Sequence, residues 1–172
     1  MFYRRSGEAP APPRGQTRAQ ANRADLKALA KSDPPPGLVG YRGKAPVGWI
    51  SLGPREDYRK LERSSVMKPV DERPVWSIVC FVVPGEFRGQ GVAKALLDRA
   101  IAYAKKRGVE CLEAYPVDKP ARSADDSLWF GTKSMYDAAG FEEVARRRPT
   151  RPVMRLGLTS TDARRRRRIA TR

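Results

Sequence analysis

The sequence predicts an α/β (α+β) fold: one mixed, mostly antiparallel sheet flanked by helices, with a parallel pair at its centre. Three observations carry this. The run Val75 to Val83 is nearly all apolar, the pattern of a strand buried on both faces. From Gly91 to Lys106, apolar residues fall at Ala93, Leu96, Leu97, Ala100, Ile101 and Ala104, which places one stripe of a helix against a sheet. Val109 to Tyr115 then reads as a further strand, so strand, helix and strand form a right-handed parallel crossover. Hairpins on either side of this unit add the antiparallel pairs.

Taken in order, Met1-Phe2-Tyr3 reads as the stub of a first strand, and residues 6–21, rich in Ala, Pro, Gly, Gln and Arg, as a loop or disordered segment. Asn22 is an N-cap candidate for a helix with Asp25 near its positive end and Leu26, Leu29 and Ala30 on one face. Pro34-Pro35-Pro36-Gly37 stops that helix. Leu38 to Tyr41 and Val47 to Leu52 form a hairpin around Arg42-Gly43-Lys44. Pro54 to Leu61 is a short helical or turn segment, and Pro84-Gly85 ends the central strand. Lys105, Lys106 and Arg107 suit the negative end of the long helix, with Gly108 as its cap. Pro116 to Trp129 is a polar loop. Thr132 caps a short helix that reaches Ala139 and is closed by Gly140. Phe141 to Ala145 and Val153 to Leu158 form a last hairpin around Arg148-Pro149-Thr150. The chain divides into an N-terminal, partly disordered segment with a short helix (1–37), one domain (38–158) and a basic tail (159–172).

Composition narrows the chemistry. The 172 residues include no histidine and two cysteines, Cys80 and Cys111. Without histidine there is no Ser-His-Asp or Cys-His arrangement, and two cysteines alone build no zinc site, so no metal is expected. Acid–base work falls to Asp, Glu, Tyr, Lys, Cys or water. Both cysteines lie in apolar, strand-like runs and read as small buried thiols. No apolar run approaches the ~18 residues that cross a membrane, and no signal peptide is evident, so a cytoplasmic protein without a membrane partner is expected. The net charge is +16, with more than half of the excess in the two terminal segments. The run Arg164 to Arg168 reads as a solvated tail or a weak contact for a polyanion such as RNA; no aromatic residue is interleaved to stack bases.

The most informative stretch is Arg88-Gly89-Gln90-Gly91-Val92-Ala93, which stands between the central strand and the long helix. Unpaired N–H groups and the helix dipole make such a junction an anion seat. Gly89 and Gly91 allow close approach to the backbone, and Arg88 adds a permanent cation. A P-loop needs Lys-Ser or Lys-Thr after the second glycine, where Val92 stands. A dinucleotide fingerprint needs a third glycine where Lys94 stands, although Glu110 and Glu113 sit at a suitable distance for a ribose contact. A coenzyme A pyrophosphate cradle of the form Arg/Gln-x-x-Gly-x-Gly/Ala is satisfied at every position.

At these residues the chain resembles the GNAT superfamily of acyl-CoA N-acyltransferases. The resemblance runs from Val82 to Leu97 and continues in Ser134-Met135-Tyr136-Asp137-Ala138-Ala139-Gly140-Phe141, similar to that superfamily's Tyr-x-x-x-Gly-Phe close. Val47-Gly48-Trp49, Pro54 to Tyr58 and Val75 to Phe81 look like an uncharacterised bacterial branch of it. The resemblance implies splayed central parallel strands with coenzyme A entering the wedge between them. The backbone near Phe81, Val82 and Val83 would bond the pantetheine amides, and Arg88, Gly89, Gln90, Gly91, Val92 and Ala93 would hold the pyrophosphate. Many relatives carry Asn seven residues before the helix tyrosine; Trp129 holds that place here.

The implied activity is an acetyl-CoA-dependent N-acetyltransferase in which a primary amine of a small molecule or peptide attacks directly, with acetyl-CoA as cosubstrate. Tyr136 is by resemblance the acid for the leaving thiolate. Glu113 alternates with Leu112 and Ala114, faces opposite to them, and is a candidate base looking into the wedge; a water chain ending at Glu113, Tyr115 or Ser77 serves equally. Asp118, Asp125 and Asp126 are loop carboxylates open to a cationic amine or simply solvated. The alternative reading is a non-catalytic coenzyme A- or RNA-binding module on the same fold.

Overall fold

The computed structural model describes residues 2–4, 11–119, 129–159 and 162. The middle of the polar loop, with Asp125 and Asp126, and the run Arg164 to Arg168 lie outside the described residues. Six strands form one sheet in the order β1-β2-β3-β4-β6-β5. They are β1 (Gly37–Arg42), β2 (Ala45–Pro54), β3 (Trp76–Val82), β4 (Cys111–Ala114), β5 (Glu142–Arg148) and β6 (Arg151–Gly157). Only β3 and β4 are parallel; every other neighbouring pair is antiparallel. Among the described residues four α-helices accompany them: α1 (Arg18–Leu29), α2 (Arg59–Glu62), α3 (Val92–Lys106) and α4 (Lys133–Ala138). The mixed α/β sheet with a central parallel pair thus stands as the sequence predicts.

Helix α3 crosses one face of the sheet. Its Leu96, Leu97, Ala100 and Ala104 pack on Ile50, Leu52, Ile78 and Leu112, all buried. A buried leucine of this kind is worth about 1.5–3 kcal/mol. The opposite face carries Tyr58, Leu61, Val79, Tyr115, Phe130 and Val153.

Two expectations for the N-terminal segment change. Residues Phe2–Arg4 form one turn of 3-10 helix and not a strand. Arg4 ties this turn across the sheet: Nη1 donates to Asp57 Oδ2 at 2.6 Å and Nη2 to the Tyr58 hydroxyl at 3.1 Å. Helix α1 begins four residues before Asn22. Thr17 is its N-cap and forms a capping box with Gln20: the Thr17 hydroxyl accepts from Gln20 N–H, and the Gln20 side chain accepts from Thr17 N–H.

The sheet opens at its centre. β3 pairs with β4 over only three residues, ending at Ile78 opposite Ala114. On its other edge, Cys80 faces Ser51 while Ile78 faces Leu52, so Val79 is an extra residue on β3. Such a bulge bends its strand, and β3 departs from β4 at this point. Residues 129–132 enter the gap: Phe81 N–H donates to the Trp129 carbonyl at 2.6 Å, and Val117 N–H donates to the Gly131 carbonyl at 3.0 Å.

Candidate active site

The stretch Arg88 to Ala93, read above as a cradle, leads into the first turn of α3. Gly91 caps α3 with φ of 76°, a left-handed conformation that favours glycine, and no side chain accepts from the amides behind it. A Cβ at Gly89 or Gly91 would meet nothing within 4 Å, so the space over these amides is open. The first turn of a helix has no carbonyls to pair with its own N–H groups, and its dipole attracts negative charge. This end of α3 opens onto a groove of about 350 Å³. Phe81, Val82 and Val83 line one side of the groove, and Arg88, Gly89, Gly91, Val92 and Ala93 the other. Arg88 Nε donates to the Val83 carbonyl at 3.1 Å, which joins the two sides. Gln90 alone of the predicted cradle residues does not line the groove. Its amide donates to the Glu86 carbonyl at 2.7 Å and accepts from Arg42 at 2.9 Å, so its side chain is committed to the protein. An open, uncapped helix terminus flanked by Arg88 and Lys94 fits a diphosphate.

The groove meets a second, larger cavity of about 920 Å³. Val82 and Trp129 belong to the walls of both. The larger cavity lies over the sheet face opposite α3, and the N-terminal turn and α1 form part of its wall through Tyr3, Arg4, Leu26 and Leu29. Cys80, a half-buried free thiol, also lines it, whereas Cys111 is fully buried. Burial pushes both thiols above their ordinary value, which keeps them protonated.

Tyr136 is fully buried and lines neither cavity; it packs behind Phe81 of the groove wall. Its ring stands edge-on to Phe81, with centroids 6.5 Å apart, and to Phe141, at 4.9 Å. Its hydroxyl has no hydrogen-bond partner among the described residues. Burial, with a smaller contribution from nearby Cys80, pushes the phenol far above its ordinary value of 10.0. It therefore stays protonated at physiological pH and can donate a hydrogen bond. A buried hydroxyl left unpaired costs roughly 1–3 kcal/mol, a cost that a sulfur or carbonyl arriving in the wedge would remove.

Glu113 takes a different position from the one expected. It does face away from Leu112 and Ala114, but its carboxylate is fully buried and lines neither cavity. Arg55 Nη1 donates to Oε1 at 2.9 Å and Arg155 Nε to Oε2 at 2.8 Å, while the Tyr115 hydroxyl donates to Oε1 at 2.6 Å. Ser77 Oγ lies 2.9 Å from that hydroxyl and completes the cluster. Burial first, and the Glu113 charge second, push the Tyr115 phenol well above 10.0. Arg155 also donates to Asp71 at 2.7 Å, and that bond holds the Asp71 carboxyl below its ordinary value. Arg55 Nη2 donates to the Met67 carbonyl, and Arg147 donates to the carbonyls of Val66, Lys68 and Pro69. Three arginines thereby fasten residues 66–71 to the sheet. None of these roles has a local sequence signal, because the partners are 12 to 84 residues apart. Asp118 is likewise engaged, accepting from Arg146 at 2.7 Å.

Among the described residues, no cluster of His, Cys, Asp or Glu has the makings of a metal site, and no helix is long and apolar enough to cross a membrane.

Comparison with known proteins agrees with this geometry. The profile of the Acetyltransferase (GNAT) family matches residues 4–125. An uncharacterised N-acetyltransferase of Methanocaldococcus jannaschii is 34% identical over 79 residues, which is 43% of this chain and 29% of that protein. The match therefore spans under a third of the relative's length. Among solved structures, yncA of Salmonella typhimurium, determined with its cofactor acetyl-CoA, superposes with a TM-score of 0.55 at 18% identity, covering 84% of this chain and 77% of that one. The ribosomal-protein-alanine N-acetyltransferase of Brucella melitensis superposes with a TM-score of 0.53 at 21% identity, covering 80% and 77%. An uncapped helix end after a bulged central strand, a three-residue parallel pairing and a family match over most of the chain lead to one conclusion: this protein belongs to the GNAT family of acetyltransferases.

Proposed function

We propose that the chain moves the acetyl group of acetyl-CoA to a primary amine by direct attack. The observation that carries this reading is the meeting of the two cavities at Val82 and Trp129, with an open anion seat on the wall of one and an unpartnered phenol, Tyr136, packed behind Phe81 of that same groove. Bound acetyl-CoA supplies an acyl group activated by its bond to sulfur. The amides at the start of α3, with Arg88 and Lys94, hold the diphosphate. The main chain of β3 from Phe81 to Val83 runs along the pantetheine arm. Phe81 N–H, released from the Trp129 carbonyl, becomes a donor to the acyl oxygen. A fixed donor of this kind is worth about 3 kcal/mol where charge develops.

The amine arrives from the larger cavity. Its nitrogen lone pair forms the C–N bond as the C–S bond breaks, its surplus proton leaves to water, and the thiolate is met by the Tyr136 hydroxyl. Glu113 serves in this scheme as the anchor that holds Arg55, Arg155 and Tyr115 in place, and not as the group that receives the proton.

Thermal denaturation with coenzyme A tests the reading. Ligand at 100 times Kd adds about 2.7 kcal/mol, or roughly 5–10 °C for a chain of this size. Gly91→Glu puts bulk and negative charge in the diphosphate seat and abolishes the shift. No shift in the parent chain, or an undiminished one in the variant, would overturn the assignment; binding without acetyl transfer to any amine would favour a coenzyme A-binding module.

A further inference from the structure

The larger cavity carries information about the acceptor, given the transferase function proposed for the chain. Its wall holds five aromatic side chains, Tyr3, Trp49, Tyr58, Trp129 and Phe130, and among the described residues no Asp or Glu. The charged side chains that reach it are two arginines. Arg4 is neutralised, since Asp57 accepts from it at 2.6 Å and its guanidinium lies 4.5 Å from the centre of the Tyr58 ring. Arg151 is not. Its guanidinium lies over the Phe130 ring at 5.4 Å, and among the described residues no carboxylate comes within ion-pair distance of it. Phe130 follows Trp129, which lines both the cavity and the coenzyme groove, so this cation stands over a ring adjoining that shared wall.

We infer that the acceptor is an amine with an aromatic body and a carboxylate beside the amine, the chemistry of an aromatic α-amino acid, and that Arg151 binds the carboxylate. Rings on the wall bury the aromatic body and stack on it. The lone guanidinium supplies the matching fork for a carboxylate. The cavity also discriminates against multiply cationic acceptors. Every ammonium brought into it loses water and gains no carboxylate from the described wall, which penalises each added charge. The same absence aids the chemistry. A wall that is apolar and positively charged disfavours the ammonium form of a bound amine, and so raises the share of neutral nitrogen with a lone pair to attack.

Calorimetric titration of the full chain tests this with four probes: L-phenylalanine, L-tryptophan, 2-phenylethylamine, which lacks the carboxylate, and spermidine, which carries several ammoniums. At least one aromatic amino acid is expected to bind at least tenfold more tightly than 2-phenylethylamine, and spermidine not to bind. Arg151→Gln is expected to weaken the amino acid at least tenfold, to leave 2-phenylethylamine unchanged, and to keep the coenzyme A thermal shift. Equal binding of spermidine, equal loss for both aromatic probes in the variant, or no heat from either amino acid in a protein that binds coenzyme A would overturn the inference and leave the transferase reading standing. Amino acid binding without any coenzyme A shift would overturn the transferase reading and, with it, the amino acid's place as acceptor. A wider preference for peptide N-termini would appear as tighter binding of L-phenylalanine amide than of L-phenylalanine, and it too would overturn the assignment.

Discussion

Replacing Glu113 by Gln separates an anchoring role from a catalytic one. The carboxylate accepts from two guanidiniums and one phenol, and both arginine side chains are about nine-tenths buried. Glutamine keeps the shape but brings an NH₂ group against donors on one side, and it leaves two desolvated cations without the Glu113 counter-charge. Removing one partner of a buried ion pair costs about 3–5 kcal/mol. For a chain of this length each kcal/mol lowers Tm by roughly 2–4 °C, so the midpoint should fall by about 10 °C in a thermal scan. Acetyl transfer measured well below both midpoints should keep its kcat within a few-fold. A catalytic base shows the opposite pattern, since removing it costs about 10²–10⁴ in rate with little effect on Tm. A Glu113→Gln protein whose Tm moves by less than ~2 °C while kcat falls a hundredfold would refute the anchoring argument and restore Glu113 as the base.

Three further outcomes rest on burial and backbone geometry. Tyr136→Phe removes a buried hydroxyl that has no partner among the described residues; urea denaturation should show unchanged or slightly higher stability, while kcat falls roughly 10–100-fold. An unchanged kcat would remove Tyr136 from the mechanism. Gly131 has φ of 76°, and a Cβ there would stand 2.5 Å from Met135 Cε and 3.3 Å from the Tyr136 ring. Gly131→Ala should therefore lose about 1–2 kcal/mol, read as a lower urea midpoint. At alkaline pH, burial raises the phenols of Tyr58, Tyr115 and Tyr136 above 10.0 and the two thiols above 9.0. The unfolded chain loses those protons first, so the contribution is fully present below pH ~9 and declines as pH rises through about 9–10 and beyond. The urea midpoint should be level up to about pH 8.5 and drop steeply above about pH 10; a level profile to about pH 11 would contradict the burial of these groups.

The legible parts of the fold are those in which one local pattern speaks for itself. The stripe from Ala93 to Ala104, the apolar run of β3 and the Thr132 cap each combine periodicity with a terminus signal, and each element stands within a residue or two of its expected span. The start of α1 is legible in Thr17-x-x-Gln20, but this helix buries no residue, so its apolar pattern gives no phase to anchor the reading. The bulge at Val79 has no glycine or proline to announce it. Arg55 is illegible for a different reason. Composition places arginine at the surface, and only the meeting of Glu113 with segments 58 and 42 residues away makes burial tolerable for Arg55 and for Glu113 itself. The larger cavity is illegible for the same cause, being assembled from Tyr3, α1, β2, β3 and Arg151.

The insertion of residues 129–132 between β3 and β4 has a consequence for the chain before it meets any ligand. A sheet that parts at its centre bares two rows of peptide groups, each a template on which a strand from a neighbouring molecule can dock. By laying its own backbone into that cleft, the protein closes the template with intramolecular bonds at Phe81 and Val117. Among the described residues, the gap at the centre of the sheet is thus filled from within, by the protein's own backbone.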